Sequence, residues 1–336
     1  MRCVPAALQL LTDRQIAQVR ARSDCWGIWL VVHAWAVIGG SMTLVICSPH
    51  LATYLLAVML IGSRQLGLLI LMHDGAHGVL TRSPILNRFV SQWCCAYPML
   101  ADMTVYRRYH LQHHAHTMQE ADPDVLLTGD YPISRTSLRR KLMRDISGRT
   151  GIAQRFAQFR EALGPASAGW LGRLSHLKSR LGWSLLINAL LFVLLMRCGH
   201  PWFYITLWVL PALTWHQLVL RIRNIAEHAA VSDRQNPFLN ARTTAVGWIA
   251  RVFVAPYWVN YHREHHLLMW VPCYRLRRLQ QFLAENGHGY PSPSGSYLAV
   301  LHEVTYADEA SPPDGRHPQK PRQRAVGTFS EGFRPN

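Results

Sequence analysis

The sequence predicts an all-α integral membrane protein with four transmembrane helices in two hairpins, and a cytoplasmic helical cap that carries clustered histidines. Two observations lead to this prediction. Four apolar runs divide the 336-residue chain, and the first of them, 26–47, is long enough to cross about 30 Å of hydrocarbon as a helix. Half of the 18 histidines fall in four short stretches between and after these runs.

The chain begins with a mixed, charged segment, residues 1–25, which lacks the features of a secretory signal and is predicted to be a cytoplasmic or interfacial arm. The first transmembrane hairpin is predicted over residues 26–72. Its first helix, 26–47, has no formal charge, and its second, 51–72, is apolar apart from a short polar stretch. For this second run, a helix of a soluble core is the alternative interpretation.

The second transmembrane hairpin is predicted over residues 182–220. Its two apolar runs, 183–196 and 202–220, are separated by the five residues RCGHP. Pro211 is expected to kink the second helix, because proline cannot donate the backbone hydrogen bond of a helix interior.

The remaining regions are two cytoplasmic helical regions, residues 73–181 and 221–306, and a disordered tail, residues 307–336, rich in proline, glycine and charge. Because each hairpin crosses the membrane twice, the arm, both helical regions and the tail are all predicted to lie on the same side of the membrane. Of the 35 lysines and arginines, only Arg64 and Arg197 lie elsewhere. The positive-inside rule therefore predicts that this side is cytoplasmic, most simply in the inner membrane of a bacterium.

The formal charge of +16 fits a nucleic acid, an anionic membrane or an acidic protein as partner. The predicted topology assigns the basic side to the headgroups of the lipid bilayer, so no nucleic-acid partner is expected. The seven cysteines form no CxxC pair, which argues against a disulfide framework or a zinc ribbon.

The clustered histidines have the spacing of metal ligands on helices, since residues three and four apart share one helical face. Two clusters have the pattern HxxHH, one has HxxxH, and one is a single histidine in NxxxH. The candidate ligands are His73 and His77; His110, His113 and His114; His228; and His262, His265 and His266. For each cluster taken alone, surface or core histidines are the alternative.

Nine imidazoles exceed what one ion needs, because a catalytic zinc takes about three protein ligands and a structural zinc about four. Two metals are therefore predicted. Imidazole suits iron, zinc and copper. Iron is favoured because an all-nitrogen pair suits redox chemistry and the chain lacks the HExxH glutamate of a hydrolytic zinc site.

Several polar residues near the clusters are candidates for supporting roles. Asp74, Glu227 and Glu264 adjoin ligands and are predicted to orient imidazole N–H groups, with solvated surface acids as the alternative. Arg64 and Gln65 lie about two turns before His73 and are candidates for a substrate tunnel. Pairing of Arg64 within the helix bundle is the alternative.

These motifs resemble the membrane fatty-acid desaturase superfamily, whose members carry HxxxH or HxxxxH, then HxxHH, then HxxHH or QxxHH. The order and topology match, over residues 50–285. In acyl-CoA desaturases an NxxxH histidine also binds metal and its asparagine holds a metal-bound water, so the resemblance implies these roles for His228 and Asn224. The third motif begins with His262 rather than glutamine, and no HPGG haem motif is present.

The resemblance implies an O2-dependent desaturase of acyl lipids or acyl thioesters with two non-haem irons and no catalytic residue beyond the metal centre. Because the chain has no haem motif, CxxC pair or dinucleotide fingerprint, a separate ferredoxin-like or cytochrome donor is expected. A hydroxylase or ketolase acting on a lipid or carotenoid is the alternative. A non-catalytic metal-binding protein or zinc hydrolase is a more distant one.

Overall fold

The computed structural model describes residues 9–287 and 291–306. The α-helices, in chain order, are α1 (Asp13–Arg20), α2 (Asp24–Cys47), α3 (Leu51–His77), α4 (Pro84–Phe89), α5 (Met103–His116), α6 (Val125–Thr128), α7 (Arg135–Ile146), α8 (Arg149–Ala162), α9 (Gly169–Arg197), α10 (Leu210–Leu213), α11 (Trp215–His228), α12 (Trp248–Phe253), α13 (His262–Leu267), α14 (Cys273–Asn286) and α15 (Tyr297–Glu303). Turns of π-helix occupy Val90–Ala96 and Tyr204–Val209, turns of 3-10 helix occupy Tyr97–Met99 and Ala166–Ala168, and strands β1 (Ile133–Ser134) and β2 (Thr305–Tyr306) pair in parallel. The predicted tail, residues 307–336, lies outside the described residues.

Among the described residues, four helical stretches are long and apolar enough to cross a membrane. They are Asp24–Cys47, Leu51–His77, Ala166–Arg197 and Tyr204–His228. The prediction of a mostly helical protein with four membrane-length helices is therefore confirmed. Their arrangement as two hairpins beneath a cytoplasmic cap stays a prediction.

The second of these helices, α3, lies at the centre of the bundle, where it packs against α2, α5 and α11. It continues five residues beyond position 72, the predicted end of the membrane-spanning run, and stops at His77, where Gly78 adopts a left-handed conformation with φ of 74°. Glycine favours this conformation because it has no Cβ. One continuous helix therefore carries both a membrane-length apolar run and the first histidine pair.

The third and fourth membrane-length stretches differ in regularity. Helix α9 begins at Gly169, well before the predicted start at 183, because leucine, arginine and lysine residues that favour a helix precede the apolar run. The fourth stretch forms a π-helical turn before Pro211 and breaks at Thr214, where φ is −118° and ψ is −88°. Helix α11 then continues to His228.

Gly75, between the two histidines of α3, allows this helix to approach the π-helical turn Val90–Ala96 closely. A Cβ at position 75 would lie 1.9 Å from Ser91 Oγ and 2.2 Å from Ser91 Cβ. Both distances are far inside van der Waals contact. An alanine there would force the two segments apart, and overpacking typically costs about 1–3 kcal/mol.

We therefore expect Gly75→Ala to lower the thermal midpoint and the folded yield of the purified protein in detergent. Gly40→Ala is the matched control, because no atom of the described residues lies within 4 Å of a Cβ at that position in α2. Adding Ser91→Gly to Gly75→Ala should restore most of the loss, since both clashing atoms are removed. Equal midpoints for Gly75→Ala and Gly40→Ala would contradict this account.

Candidate metal centre

The four histidine clusters lie on four helices that meet at one place. His73 and His77 occupy the end of α3, His228 ends α11, the second cluster forms the C-terminal part of α5, and the third lies on α13. Within each of two groups, one ring nitrogen of every member lies within 4.8 Å of the others. The five-histidine group is His73, His77, His110, His114 and His265; the four-histidine group is His113, His228, His262 and His266.

The Nε2 atoms of the five-histidine group point at a common centre. His265 Nε2 lies 3.0 Å from His73 Nε2 and 2.9 Å from His114 Nε2, which is itself 2.9 Å from His110 Nε2. His77 Nε2 is fully buried and has no hydrogen-bond partner within the part of the chain that the structure describes. Two nitrogens bound at right angles to one ion at about 2.1 Å would lie about 3.0 Å apart. The donor set therefore fits a metal ion.

The four-histidine group has the same convergence, and its outer nitrogens fix the ring tautomers. Nδ1 of His228 donates to the Asn240 carbonyl at 3.0 Å. Nδ1 of His266 lies 3.2 Å from the Thr117 hydroxyl, which donates its own hydrogen to the His113 carbonyl. With a proton on Nδ1, Nε2 keeps its lone pair for a metal.

The inner distances of this group match those of the other. His262 Nε2 lies 2.8 Å from His228 Nε2 and 3.0 Å from His266 Nε2, and His113 Nε2 lies 3.3 Å from His266 Nε2. The rings of His114 and His266, one from each group, stack with centroids 4.3 Å apart. The two candidate sites are therefore adjacent, and the arrangement suits two ions acting on one substrate.

Burial keeps most of these imidazoles neutral, which metal binding requires. It lowers the pKa well below the ordinary histidine value for five members that lie outside the membrane-length helices, and neighbouring histidines lower it further. They are His110, His114, His262, His265 and His266.

His113 differs because it contacts carboxylates through its outer nitrogen. Burial lowers its pKa, but the hydrogen bond that His113 donates to Asp122 and the charges of Asp124 and Asp122 outweigh burial and raise the pKa above its ordinary value. Asp122 accepts from His113 Nδ1 at 2.8 Å, and Asp124 lies 3.7 Å from the same atom. These acids contact the nitrogen that faces away from the group, so we interpret them as orienting His113 rather than as ligands.

The predicted supporting acids lie close to the histidines. Asp74 is 3.5 Å from His73 Nδ1 and accepts from the backbone N–H of Cys273 at 2.7 Å, which ties α3 to the start of α14. Glu227 lies 3.4 Å from His262 Nδ1. Glu264 is buried and accepts from the Thr243 hydroxyl. Their predicted orienting roles stay predictions.

Sequence analysis missed three residues that contact the outer nitrogens: Asp122, Thr117 and Asn240. Asp122 and Thr117 closely follow the second HxxHH cluster, so proximity to it could have indicated them. Asn240 acts through its backbone carbonyl. Because any residue type offers a carbonyl, no sequence pattern marks this position.

Backbone strain accumulates at the ends of the histidine helices. Among the described residues, the non-glycine positions with positive φ are Leu100, Met118, Ala230, Tyr257 and Trp258, with φ between 49° and 61°. They lie just before α5, just after α5, just after α11 and just before α13. Such conformations cost of order 1–3 kcal/mol each and persist where surrounding structure enforces them.

A cavity adjoins both histidine groups and is lined by both apolar and polar side chains. Its apolar members include Leu66, Leu69, Ile70, Leu220, Val259 and Leu276; its polar members include Tyr109, Asp124, Arg223, Asn224 and Glu227. Six of the nine candidate ligands also line it: His73, His110, His113, His228, His262 and His265. A substrate in this cavity would contact the metal centre.

Arg64 and Gln65 do not line this cavity. Arg64 donates to the Val252 carbonyl and to the Ser63 hydroxyl, and Gln65 donates to the Trp208 carbonyl at 2.7 Å. Both side chains thus bond within the helix bundle. Their place in a substrate tunnel stays a prediction.

Comparison with known proteins gives a family match over most of the chain. The sequence model described as fatty acid desaturase matches residues 49–295. A dihydrorhizobitoxine desaturase of Bradyrhizobium elkanii is 25% identical over 85% of this chain and 82% of its own length. A beta-carotene ketolase of Paracoccus sp. (strain PC1) is 24% identical over 75% of this chain and 88% of its own.

Proposed function

The chain belongs to the fatty acid desaturase family, and from this premise we propose that it is an O2-dependent desaturase that introduces a double bond into an acyl chain. The observation that carries the proposal is the pair of adjacent histidine groups beside a partly apolar cavity. In the overall reaction, O2 is reduced to two waters. The substrate supplies two hydrogens, a separate donor supplies two electrons, and two protons complete the second water.

Two iron ions are the proposed cofactor, one in each histidine group, and when bound they supply the oxygen-dependent redox chemistry. The chain's own residues hold and orient the reactants. Leu66, Leu69 and Ile70 on α3 form an apolar wall that would position an acyl chain against the histidines and exclude water. Arg64 and Gln65 stay candidates for a more distant part of the substrate path.

Asn224 is proposed to hold a water at the four-histidine group, because it lines the cavity one turn before His228 on α11. Its Oδ1 accepts from Arg223 at 2.9 Å, which leaves its amide N–H groups for a ligand. We expect Asn224→Ala to keep most of its iron and lose activity. If Asn224→Ala lost as much iron as a variant that lacks a histidine ligand, the asparagine would instead be a metal ligand.

A hydroxylase or ketolase acting on a lipid or carotenoid is the second candidate. The similarity to a beta-carotene ketolase over three quarters of the chain favours it. The same metal centre could serve either reaction, because both begin with removal of hydrogen from a carbon of the substrate.

The test is expression in a bacterial membrane, followed by metal analysis and lipid analysis under isotopically labelled O2. A desaturase should contain about two irons per chain and form a new double bond without labelled oxygen in the lipid. Labelled oxygen in the product would favour the hydroxylase or ketolase. Zinc in place of iron, with no dependence on O2, would support the metal-binding protein or hydrolase instead.

We place the metal centre on the cytoplasmic side of a bacterial inner membrane. The distribution of basic residues supports this, since under the predicted topology every lysine and arginine except Arg64 and Arg197 lies on that side of the membrane. Reporter fusions at Pro49 and Gly199 should be extracytoplasmic, and fusions at Asp130 and the C-terminus cytoplasmic. An odd number of crossings between histidine clusters would contradict a shared site.

A separate acidic electron donor, ferredoxin-like or a cytochrome, is proposed to dock on the basic side. Turnover with such a donor should fall as salt rises, because the Debye length shrinks from about 10 Å at 0.1 M to about 3 Å at 1 M. Turnover with a small chemical reductant should change much less. Activity of the purified chain with NADH alone would refute a separate donor.

A further inference from the structure

The nine candidate ligands divide between two surfaces. Six of them line the cavity, and the other three are His77, His114 and His266. All three are half-buried, so each keeps some accessible surface, and because they do not line the cavity this surface lies outside it. The metal centre therefore separates the cavity from a second accessible surface, which we call the three-histidine face.

The three-histidine face lies at the end of α3 that points away from the membrane. His77 is the last of the 27 residues of this helix, about 39 Å along the helix axis from Leu51 at 1.5 Å per residue. Because the hydrocarbon is about 30 Å thick, a helix that enters it at Leu51 carries His77 beyond it. The cavity wall on α3, Leu66 to Ile70, lies about two to three turns earlier, on the membrane side.

Small residues keep this face open beside two of the three rings. Gly78 follows His77, and apart from its neighbours in the chain no atom of the described residues would lie within 4 Å of a Cβ there. Ala115 follows His114 and is exposed. Arg107, about two turns before His114 on α5, is exposed and interacts electrostatically with His77. A docking protein would therefore meet an open surface that carries a positive charge.

The three-histidine face is also the short route for electrons. Rates of electron transfer fall steeply with distance, so a carrier protein has to approach the metal centre closely. On the cavity side, a bound substrate would fill the space between a carrier and the histidines. On the three-histidine face, candidate ligands themselves reach the surface. The rings of His114 and His266, one from each group, stack with centroids 4.3 Å apart, so one docking position serves both groups.

We propose that the electron donor docks on the three-histidine face and that electrons enter through the imidazoles of His77, His114 and His266, on the side of the metal centre opposite the substrate cavity. The partner is an acidic one-electron carrier protein that binds transiently, through the small interface typical of redox encounters. Each docking oxidises the carrier by one electron, so two dockings supply the two electrons of the overall reaction. The inference rests on the proposed function for the need of an external donor.

Helix α7 offers the rival docking position. It exposes four arginines, Arg135, Arg139, Arg140 and Arg144, and it packs against α11 and α8. None of the three histidines belongs to any of these helices. A carrier attracted by charge alone would dock on α7, whereas a carrier that has to approach the metal centre would dock on the three-histidine face. Mutations on the two surfaces therefore distinguish the two positions.

The test uses the purified, iron-loaded full-length chain in detergent, without lipid substrate or O2, and a prereduced plant-type [2Fe–2S] ferredoxin as the probe. Stopped-flow spectroscopy measures the rate constant of ferredoxin oxidation, and titration measures the affinity for oxidised ferredoxin. Ala115→Trp should lower the rate constant about tenfold, whereas Ala284→Trp, at an exposed alanine on α14, should change it by about twofold at most. Association rates vary by about one to three decades among mutants of one interface.

Arg107→Glu is the second variant of the face, because it reverses an exposed charge without adding bulk. It should lower both the rate constant and the affinity at least about threefold. Arg139→Glu on α7 should change them less than about twofold at about 0.15 M salt, where the Debye length is about 8 Å. Iron per chain and the rate of reduction by dithionite should match the wild type in every variant, which separates docking from damage to the fold.

Three outcomes would overturn the inference: unchanged rates in both Ala115→Trp and Arg107→Glu, a larger loss in Arg139→Glu than in either of them, or no oxidation of ferredoxin by the wild-type chain. Product formation is measured separately, with lipid and O2. A chain that ferredoxin reduces through the face but that forms no desaturated lipid would contradict the proposed function alone. A chain that desaturates lipid but keeps its full rate in both face variants would contradict the docking position alone.

Discussion

Replacing His265 by alanine should remove most of the iron from the five-histidine group and abolish lipid oxidation. His265 Nε2 approaches two other members of the group, His73 at 3.0 Å and His114 at 2.9 Å. The side chain is almost fully buried on α13. We expect iron per chain to fall from about two to about one or less, and product yield to fall more than 100-fold, an effect larger than that of an orienting residue.

The controls come from histidines outside the two groups. His302 is exposed on α15 and contacts Arg135 at 3.3 Å, so His302→Ala should keep iron and activity. His116, half-buried at the end of α5, should show a small effect at most. The same tolerance is expected of His288 and His317, which lie outside the described residues. The measurement is iron per chain beside product yield in membranes with equal expression. Full iron and activity in His265→Ala, with loss of both in His302→Ala, would refute the assignment.

The division of each HxxHH cluster between the two groups follows from helix geometry. At 3.6 residues per turn, residue i+4 lies about 40° from residue i, whereas i+3 lies about 60° away on the other side. His110 and His114 accordingly share the five-histidine group, and His113 joins the other. In α13, His262 and His266 stay together and His265 crosses over.

The sequence therefore sufficed to predict which histidines share a helical face, because that depends on local spacing, and their role as metal ligands stays a prediction. It could not predict the acceptors that fix the ring tautomers. Asn240 reaches His228 through a loop, and Thr243 reaches Glu264 in the same way. Such contacts arise only when distant segments pack together.

Asp122→Asn should weaken metal binding at the four-histidine group without removing a ligand. Asp122 Oδ1 accepts from His113 Nδ1 at 2.8 Å and from the backbone N–H of Asp124 at 2.8 Å, while Oδ2 accepts from the N–H of Met118 at 2.7 Å. All three contacts require an acceptor. An asparagine amide offers one acceptor atom, so either orientation places its NH2 against another donor.

Loss of such an outer contact typically lowers metal affinity or activity about 10–100-fold. We expect that range in an iron titration of the purified Asp122→Asn protein, together with a smaller loss in thermal midpoint than in metal affinity. Asp233→Asn is the matched control, because Asp233 Oδ1 also accepts two backbone N–H groups, from Gln235 at 2.8 Å and Asn236 at 3.3 Å, on an exposed loop. If both variants bind iron like the wild type, His113 does not depend on Asp122 for its orientation. If both lose stability equally and neither loses affinity, the role of Asp122 is confined to its turn.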